Sequence, residues 1–401
     1  DARRAAVDAV RTRRAKAAAL QRGGRLPEAV SLIEQVVADA RATDFAPVLA
    51  ETLRTQGAVL QAAADYAASA AAFEEAYHVA NATGDDALAA ASAVELAFLQ
   101  EVHRRDTARA DEWTRHARAA VERADSARGL LLRHEGALAL VRGDYAIARN
   151  KFEQALDRHD TTSEPPSERI LLLSNLGAAA YYVGDFADAQ RRYTQALELT
   201  IEVLGPDHPD VADALAGIGI VQLADENYDA AIESNRRVVA IVRDAFGPDH
   251  PRLARALHNL GAALQRADKL EEAEQVSERS LAILIGVHGP DHPSLASSYA
   301  ALGNLAWRQD NAELARRHHE HAIAIRTAAG SPEHAEAMRS LAMLAEIDRS
   351  LGNDAAAREK IDRVLAVWRP LLGPDHPDVI EAMALREAVT PSDFTGEQAP
   401  W

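Results

Sequence analysis

The sequence predicts an all-α fold: a right-handed superhelical solenoid of about nine helix pairs, with a capping helix at the C-terminal end. Three observations predict it. The string Gly-Pro-Asp-His-Pro begins at Gly205, Gly247, Gly289 and Gly373, at spacings of 42, 42 and 84 residues. A glycine recurs with the same period inside apolar stretches, as Gly177, Gly219, Gly261 and Gly303, and then as Ala345. Apolar residues make up 48% of the chain but aromatic ones only 5%. The excess is alanine, the best helix former, which lets helices approach closely. A fixed period of this length means one supersecondary unit repeated and stacked. Stacking also accounts for 401 residues without one oversized core.

Each unit reads the same way. Before Pro209, Asp207 or His208 is placed to cap a helix, and the proline sits where a missing N–H costs nothing. Residues 210–224 are apolar at helical spacing. Asp225–Asn227 form a polar turn, and a second helix runs from about Tyr228 to Phe246. Gly247 and Pro248 then stop it, read here as a left-handed C-cap followed by a residue that cannot continue a helix. The copy missing from the 84-residue gap falls at Ser331, where Pro332, Glu333 and His334 keep register and Ala335 replaces the second proline.

Earlier units are more divergent. Gly136, Gly143, Tyr145, Ala148, Phe152 and Ala155 repeat the pattern, as do Gly57, Tyr66, Phe73 and Ala76. A weaker copy spans Leu96–Ala117, with Trp113 or Thr114 at the aromatic position, and another starts near Ala17 with its turn at Gly23–Gly24. The chain therefore divides into divergent repeats over 1–160, regular 42-residue repeats over 161–389, and a tail, 390–401, that has no period and reads as disordered. The segment Asp160–Arg169 occupies a degenerate repeat connection and not a domain boundary. Pro377–Val389 is the capping helix.

Leu176, Gly177, Gly184, Phe186, Ala189, Tyr193 and Ala196 fit the small and large positions of the tetratricopeptide pattern. A 42-residue unit with this Gly-Pro-Asp-His-Pro connection, in Leu173–Leu197 and Gly247–Gln265, resembles the kinesin-light-chain type of repeat. The resemblance covers Ile170–Val389 well and the remainder loosely. It implies a module that binds a protein or peptide along a concave face lined by the first helix of each pair. It is also similar to the repeat region that follows the kinase domain in bacterial, myxobacterial-type Ser/Thr kinases. That likeness implies a regulatory or localising arm, or a sensor controlling an attached kinase or signal-transduction ATPase. The sequence begins without methionine, as an excised fragment would.

Counting from each helix glycine, the stripe facing the groove carries Asn175, Tyr181, Tyr182, Arg255, His258, Asn259, Arg266, Asn304, Trp307, Arg308, Arg339 and Arg349. Asn175 and Asn259 occupy the position where the family holds a peptide backbone or terminal carboxylate, and an amide supplies both donor and acceptor for that purpose. Five arginines gather there in a chain of net charge −17. Arginine suits bidentate carboxylate contacts, so the expected partner is an acidic or C-terminal segment, with the tyrosines and Trp307 as flat packing surfaces.

Other chemistry is set aside. The acidic balance disfavours nucleic acid. No apolar run reaches membrane-span length, and the N-terminus has no apolar signal core. The absence of cysteine removes disulfides and thiolate sites and fits a cytoplasmic protein. No Gly-Lys pair, HExxH, G-x-S-x-G or kinase motif is present, so no catalytic residue, metal or cofactor is expected. The Asp-His pairs of the connections are too dispersed to form one centre. His318 and His321 share a helix face, but the cluster His318, His319 and His321 reads as a solvated surface without a third ligand. Solenoids often pair through end repeats or pack convex faces, so the sequence is compatible with a homo-oligomer.

Overall fold

The computed structural model describes residues 2–22, 25–123, 127–159, 165–374 and 376–389. The tail, Gly23–Gly24 and the first half of the Asp160–Arg169 segment lie outside them. The described residues form nineteen α-helices and no strand. None is long and apolar enough to cross a membrane. They fall into two compact units, residues 1–199 and 200–401.

The first unit holds α1 (Ala2–Arg22), α2 (Leu26–Ala42), α3 (Ala46–Ala62), α4 (Tyr66–Thr83), α5 (Asp86–Val102), α6 (Thr107–Arg123), α7 (Arg128–Arg142), α8 (Tyr145–His159) and α9 (Pro166–Val183), with most of α10 (Phe186–Leu204). The second holds α11 (Pro209–Ala224), α12 (Tyr228–Phe246), α13 (Pro251–Arg266), α14 (Leu270–His288), α15 (Ala296–Arg308), α16 (Ala312–Ala328), α17 (Ala335–Ser350), α18 (Asp354–Leu372) and α19 (Pro377–Ala388). Within each unit every helix packs on the next, as the pairs α3 and α4 or α11 and α12 show. First helices also touch the first helices of following repeats, α3 against α5 and α15 against α17. That is the stacking of a repeat solenoid, in which the first helices make one layer and the second helices the other.

The helix glycines seat one residue of the partner helix, always sixteen positions later. A Cβ on Gly57 would lie 2.7 Å from the ring of Phe73, one on Gly136 2.7 Å from Phe152, and one on Gly177 2.9 Å from Tyr193. The ring seated against the glycine Cα leaves no room for a Cβ, and that is what requires glycine there. The same spacing pairs Ala97 with Trp113 and Ala345 with Ile361, which assigns Trp113 and not Thr114 as the aromatic of its repeat. In three successive repeats this residue is polar: Asn235 at Gly219, Ser277 at Gly261 and His319 at Gly303.

The repeat connections settle which residue caps. In all five, histidine is the N-cap: Nδ1 of His208, His250, His292, His334 and His376 accepts from the backbone N–H two residues on. The acceptor role requires a neutral ring protonated on Nε2. The connection glycines are not left-handed helical caps. Gly247, Gly289 and Gly373 have φ of 89°, 84° and 85° with ψ of 171°, 164° and 161°, an extended region open in practice only to glycine. Arg279 clamps this connection, donating to the carbonyl of Pro248 at 2.9 Å and to Asp249 at 2.8 Å.

In seven of the described repeats, from α3 and α4 to α17 and α18, the turn inside the repeat is a Schellman motif. After α11, Glu226 N–H donates to Leu223 and Asn227 N–H to Gln222. The left-handed residue is Gly143, Gly184 or Gly352 in some repeats, but Glu226 (φ 58°), Asp268 (61°) or Asp310 (60°) in others. A Cβ there is strained by about 1 kcal/mol. Glu226→Gly is therefore expected to stabilise the protein by up to about 1 kcal/mol, read as a higher urea midpoint with unchanged slope.

Candidate functional site

The second unit carries an open cavity of about 890 Å³ against α15, α17 and α19. Register places its lining: residues on the first helices that do not face a partner helix project into the groove layer. Of the predicted site residues, Asn304, Trp307, Arg339 and Arg349 all line it, together with Met343 and Glu346. Arg255 and His258 line a smaller cleft of about 190 Å³, whose wall includes Ser297, a residue that also lines the large cavity.

The remaining candidates go elsewhere. Arg308 turns toward the preceding repeat, donating to the carbonyl of Gln265 at 2.6 Å and to Asp268 at 2.8 Å. Arg266 stands over the Tyr228 ring, 6.0 Å from its centroid. Asn259 is half-buried on α13 and lines neither space. In the first unit Asn175 is half-buried on α9. Tyr182 is 54% exposed and stacks on Tyr145 at 4.8 Å, while Tyr181 packs edge-on against Tyr182. These rings form a surface cluster of their own.

The cavity's charges are largely matched internally. Arg339 lies 3.7 Å from Asp378, Arg349 pairs with Glu346, and Glu336 is held by Arg326 from α16. Glu381, exposed at the rim, has no ion-pair partner among the described residues. Arg255 also has a carboxylate nearby, Asp213 at 3.6 Å. Next to the cavity, Asp348 is buried, yet Lys360 at 2.6 Å and Arg316 at 2.7 Å reach it from α18 and α16. Burial pulls its carboxyl upward, and those two hydrogen bonds outweigh it, leaving it below the usual carboxylate range.

Two polar residues of the wall were not legible as such. His319 is 1% exposed and lines the cavity, not a solvated surface as its cluster suggested. Among the described residues neither ring nitrogen has a hydrogen-bond partner, and neither does Oγ of Ser340, which lines the same cavity. Burial, with His318 as a second cause, pushes His319 down to about 4, so the ring is neutral at pH 7. The signal available was register: His319 follows Gly303 by sixteen residues, as Phe152 follows Gly136. Its neighbours are partly exposed and belong to another contact, His321 packing on Tyr299 at 4.2 Å. Among the described residues no group of three or more candidate ligands could hold a metal.

A tetratricopeptide-repeat family model matches residues 168–244, 224–286, 252–328 and 302–361. Residues 168–361 belong to the tetratricopeptide-repeat family. No curated protein matches the chain. Among solved structures, the apo form of RapI is 11% identical with TM-score 0.53, covering 95% of this chain and 97% of that one. Nearly identical TPR-like repeats of a Podosopora anserina kinesin light chain protein are 22% identical with TM-score 0.47, over 52% of this chain and 98% of that one. BtubC (BKLC) from P. vanneervenii is 20% identical with TM-score 0.47, over 61% and 91%. The RapI likeness extends the helical-repeat fold over almost the whole chain, including repeats that the family model leaves unmatched.

Proposed function

We propose that this protein is a non-catalytic scaffold that holds a protein or peptide segment in the first-helix groove of its tetratricopeptide repeats. The convergence of Asn304, Trp307, Arg339 and Arg349 on one open cavity carries this reading. A groove of preformed helices binds a segment without first having to order itself. In the finer reading the segment is acidic or carries its terminal carboxylate. It docks on Asn259, Arg255 and His258 of α13 and runs toward the cavity, exchanging the internal carboxylates that the arginines now hold. Asn175 and the Tyr181 and Tyr182 cluster are a separate contact surface in the first unit. The setting is a cytoplasmic, bacterial signalling protein, with these repeats as the regulatory or localising arm of a Ser/Thr kinase.

Affinity capture from a bacterial lysate tests it, with wild type beside the variant Arg255→Glu, Arg266→Glu, Arg308→Glu. All three side chains are exposed, so the variant should fold. A discrete partner retained by wild type and weakened at least tenfold by the reversal is expected. Retention unchanged would remove the acidic segment from the proposal, and no partner at any salt would remove the scaffold. The size of the cavity also favours a sensor controlling an attached domain, since it falls in the range of small-molecule sites. A change of radius of gyration on ligand addition, seen by small-angle scattering, would mark that behaviour.

A further inference from the structure

The wall of the large cavity does not match the requirements of a peptide backbone alone. Its apolar part is built by Trp307, Met343, Trp368 and Leu385. Set into it are His319 and Ser340, each about 1% exposed, with three polar atoms between them that no group among the described residues satisfies. Buried polar side chains are ordinarily paired, and an unpaired cluster in a cavity wall marks a place where a ligand completes the hydrogen bonds.

The chemistry needed is narrow. A neutral imidazole offers one donor and one acceptor, and a serine hydroxyl offers both. A group that also gives and takes, a hydroxyl or an amide, can satisfy them together. A carboxylate can only accept, and the two cavity arginines are already matched by Asp378 and Glu346. An ammonium can only donate, and the unpaired carboxylate, Glu381, is exposed at the rim and not buried in the wall. We propose that this cavity is a binding site for a small, uncharged amphipathic molecule whose apolar body lies against the tryptophans and whose hydroxyl or amide end hydrogen-bonds to His319 and Ser340. This site shares the cavity and Trp307 with the proposed peptide groove but rests on different wall atoms, so its test is read apart from partner capture.

Four matched probes decide the assignment by isothermal titration at constant ionic strength: benzyl alcohol, toluene, benzylamine and benzoate. Benzyl alcohol should bind at least tenfold more tightly than the other three. Ser340→Ala and His319→Phe should each bring its affinity down to that of toluene. His319→Phe is expected to fold, because Phe73 and Phe152 occupy this register position in other repeats. If that variant does not fold, Ser340→Ala alone carries the comparison. Equal binding of toluene and benzyl alcohol, unchanged binding by the variants, or no binding by any probe would overturn the site. p-Cresol and the capped peptide Ac-Ala-Tyr-Ala-NH2 present one hydroxyl tip free and on a backbone. Equal or tighter binding of p-cresol upholds a free molecule, and tighter binding of the peptide transfers the pocket to a partner's side chain. Loss of partner capture in the Arg255→Glu, Arg266→Glu, Arg308→Glu variant with benzyl alcohol binding intact would separate the two sites.

Discussion

Phe152→Ala is expected to cost about 3–5 kcal/mol, among the largest losses available to a single substitution in the first unit. Phe152 is fully buried, and its ring fills the space where α7 and α8 cross at Gly136. In a stacked repeat the loss is not absorbed by a distant core, because each pair packs chiefly on its neighbours. A cycle with Gly136 isolates the contact. Gly136→Ala alone places a methyl 2.7 Å from the ring and should cost about 1–3 kcal/mol through overpacking. In the Phe152→Ala background the same methyl enters vacated space, so its cost should shrink or reverse. Urea unfolding of the four proteins measures the coupling, expected at about 1 kcal/mol or more. Additive losses would mean that glycine is there for some reason other than this ring.

That contact was readable from the sequence because it is periodic. Gly136 and Phe152 recur as Gly57 and Phe73, and position alone identifies both partners. The boundaries of the regular units were readable for the same reason: at Gly205, Gly247, Gly289 and Gly373 glycine ends one unit and proline begins the next at fixed offsets. The cap was less readable, since aspartate and histidine both suit an N-cap and only backbone geometry chooses between them. The groove was legible as a stripe but not in detail. Register puts Arg308 near the groove layer, yet Asp268 and the Gln265 carbonyl come from the turn of the preceding repeat and draw it away. A long flexible cation goes where its nearest fixed acceptor lies, which sequence spacing does not encode. His319 was obscured differently. A polar residue at an aromatic position looks like surface unless it is counted from the glycine that it packs against.

Acidification from pH 7.5 to 4.5 should then weaken the fold well before its carboxylates protonate. His134 and His319 are both held down to about 4, each chiefly by burial, with Arg133 and His318 respectively as the next cause. Unfolded, each ring titrates near 6.5. Above that value both states are neutral and the packing contribution is complete. As pH falls below it, the unfolded chain takes up protons that the folded one refuses, and the contribution is lost progressively until about 4. The bound is about 3 kcal/mol per ring at the end of that window. His250 and His318 are shifted in the same direction and add to the slope. Glu135, Asp188 and Asp348 act lower: burial raises each, but hydrogen bonds from cations outweigh it, so their loss falls below the histidine window. Stability against urea at intervals of pH measures the slope. His319→Phe should flatten it by about one proton while raising stability at pH 7.5 by about 1–3 kcal/mol, because the buried unpaired nitrogens are gone. A slope unchanged by that substitution would place the proton uptake on other histidines and leave His319 without the neutral, unpartnered state that the cavity wall requires of it.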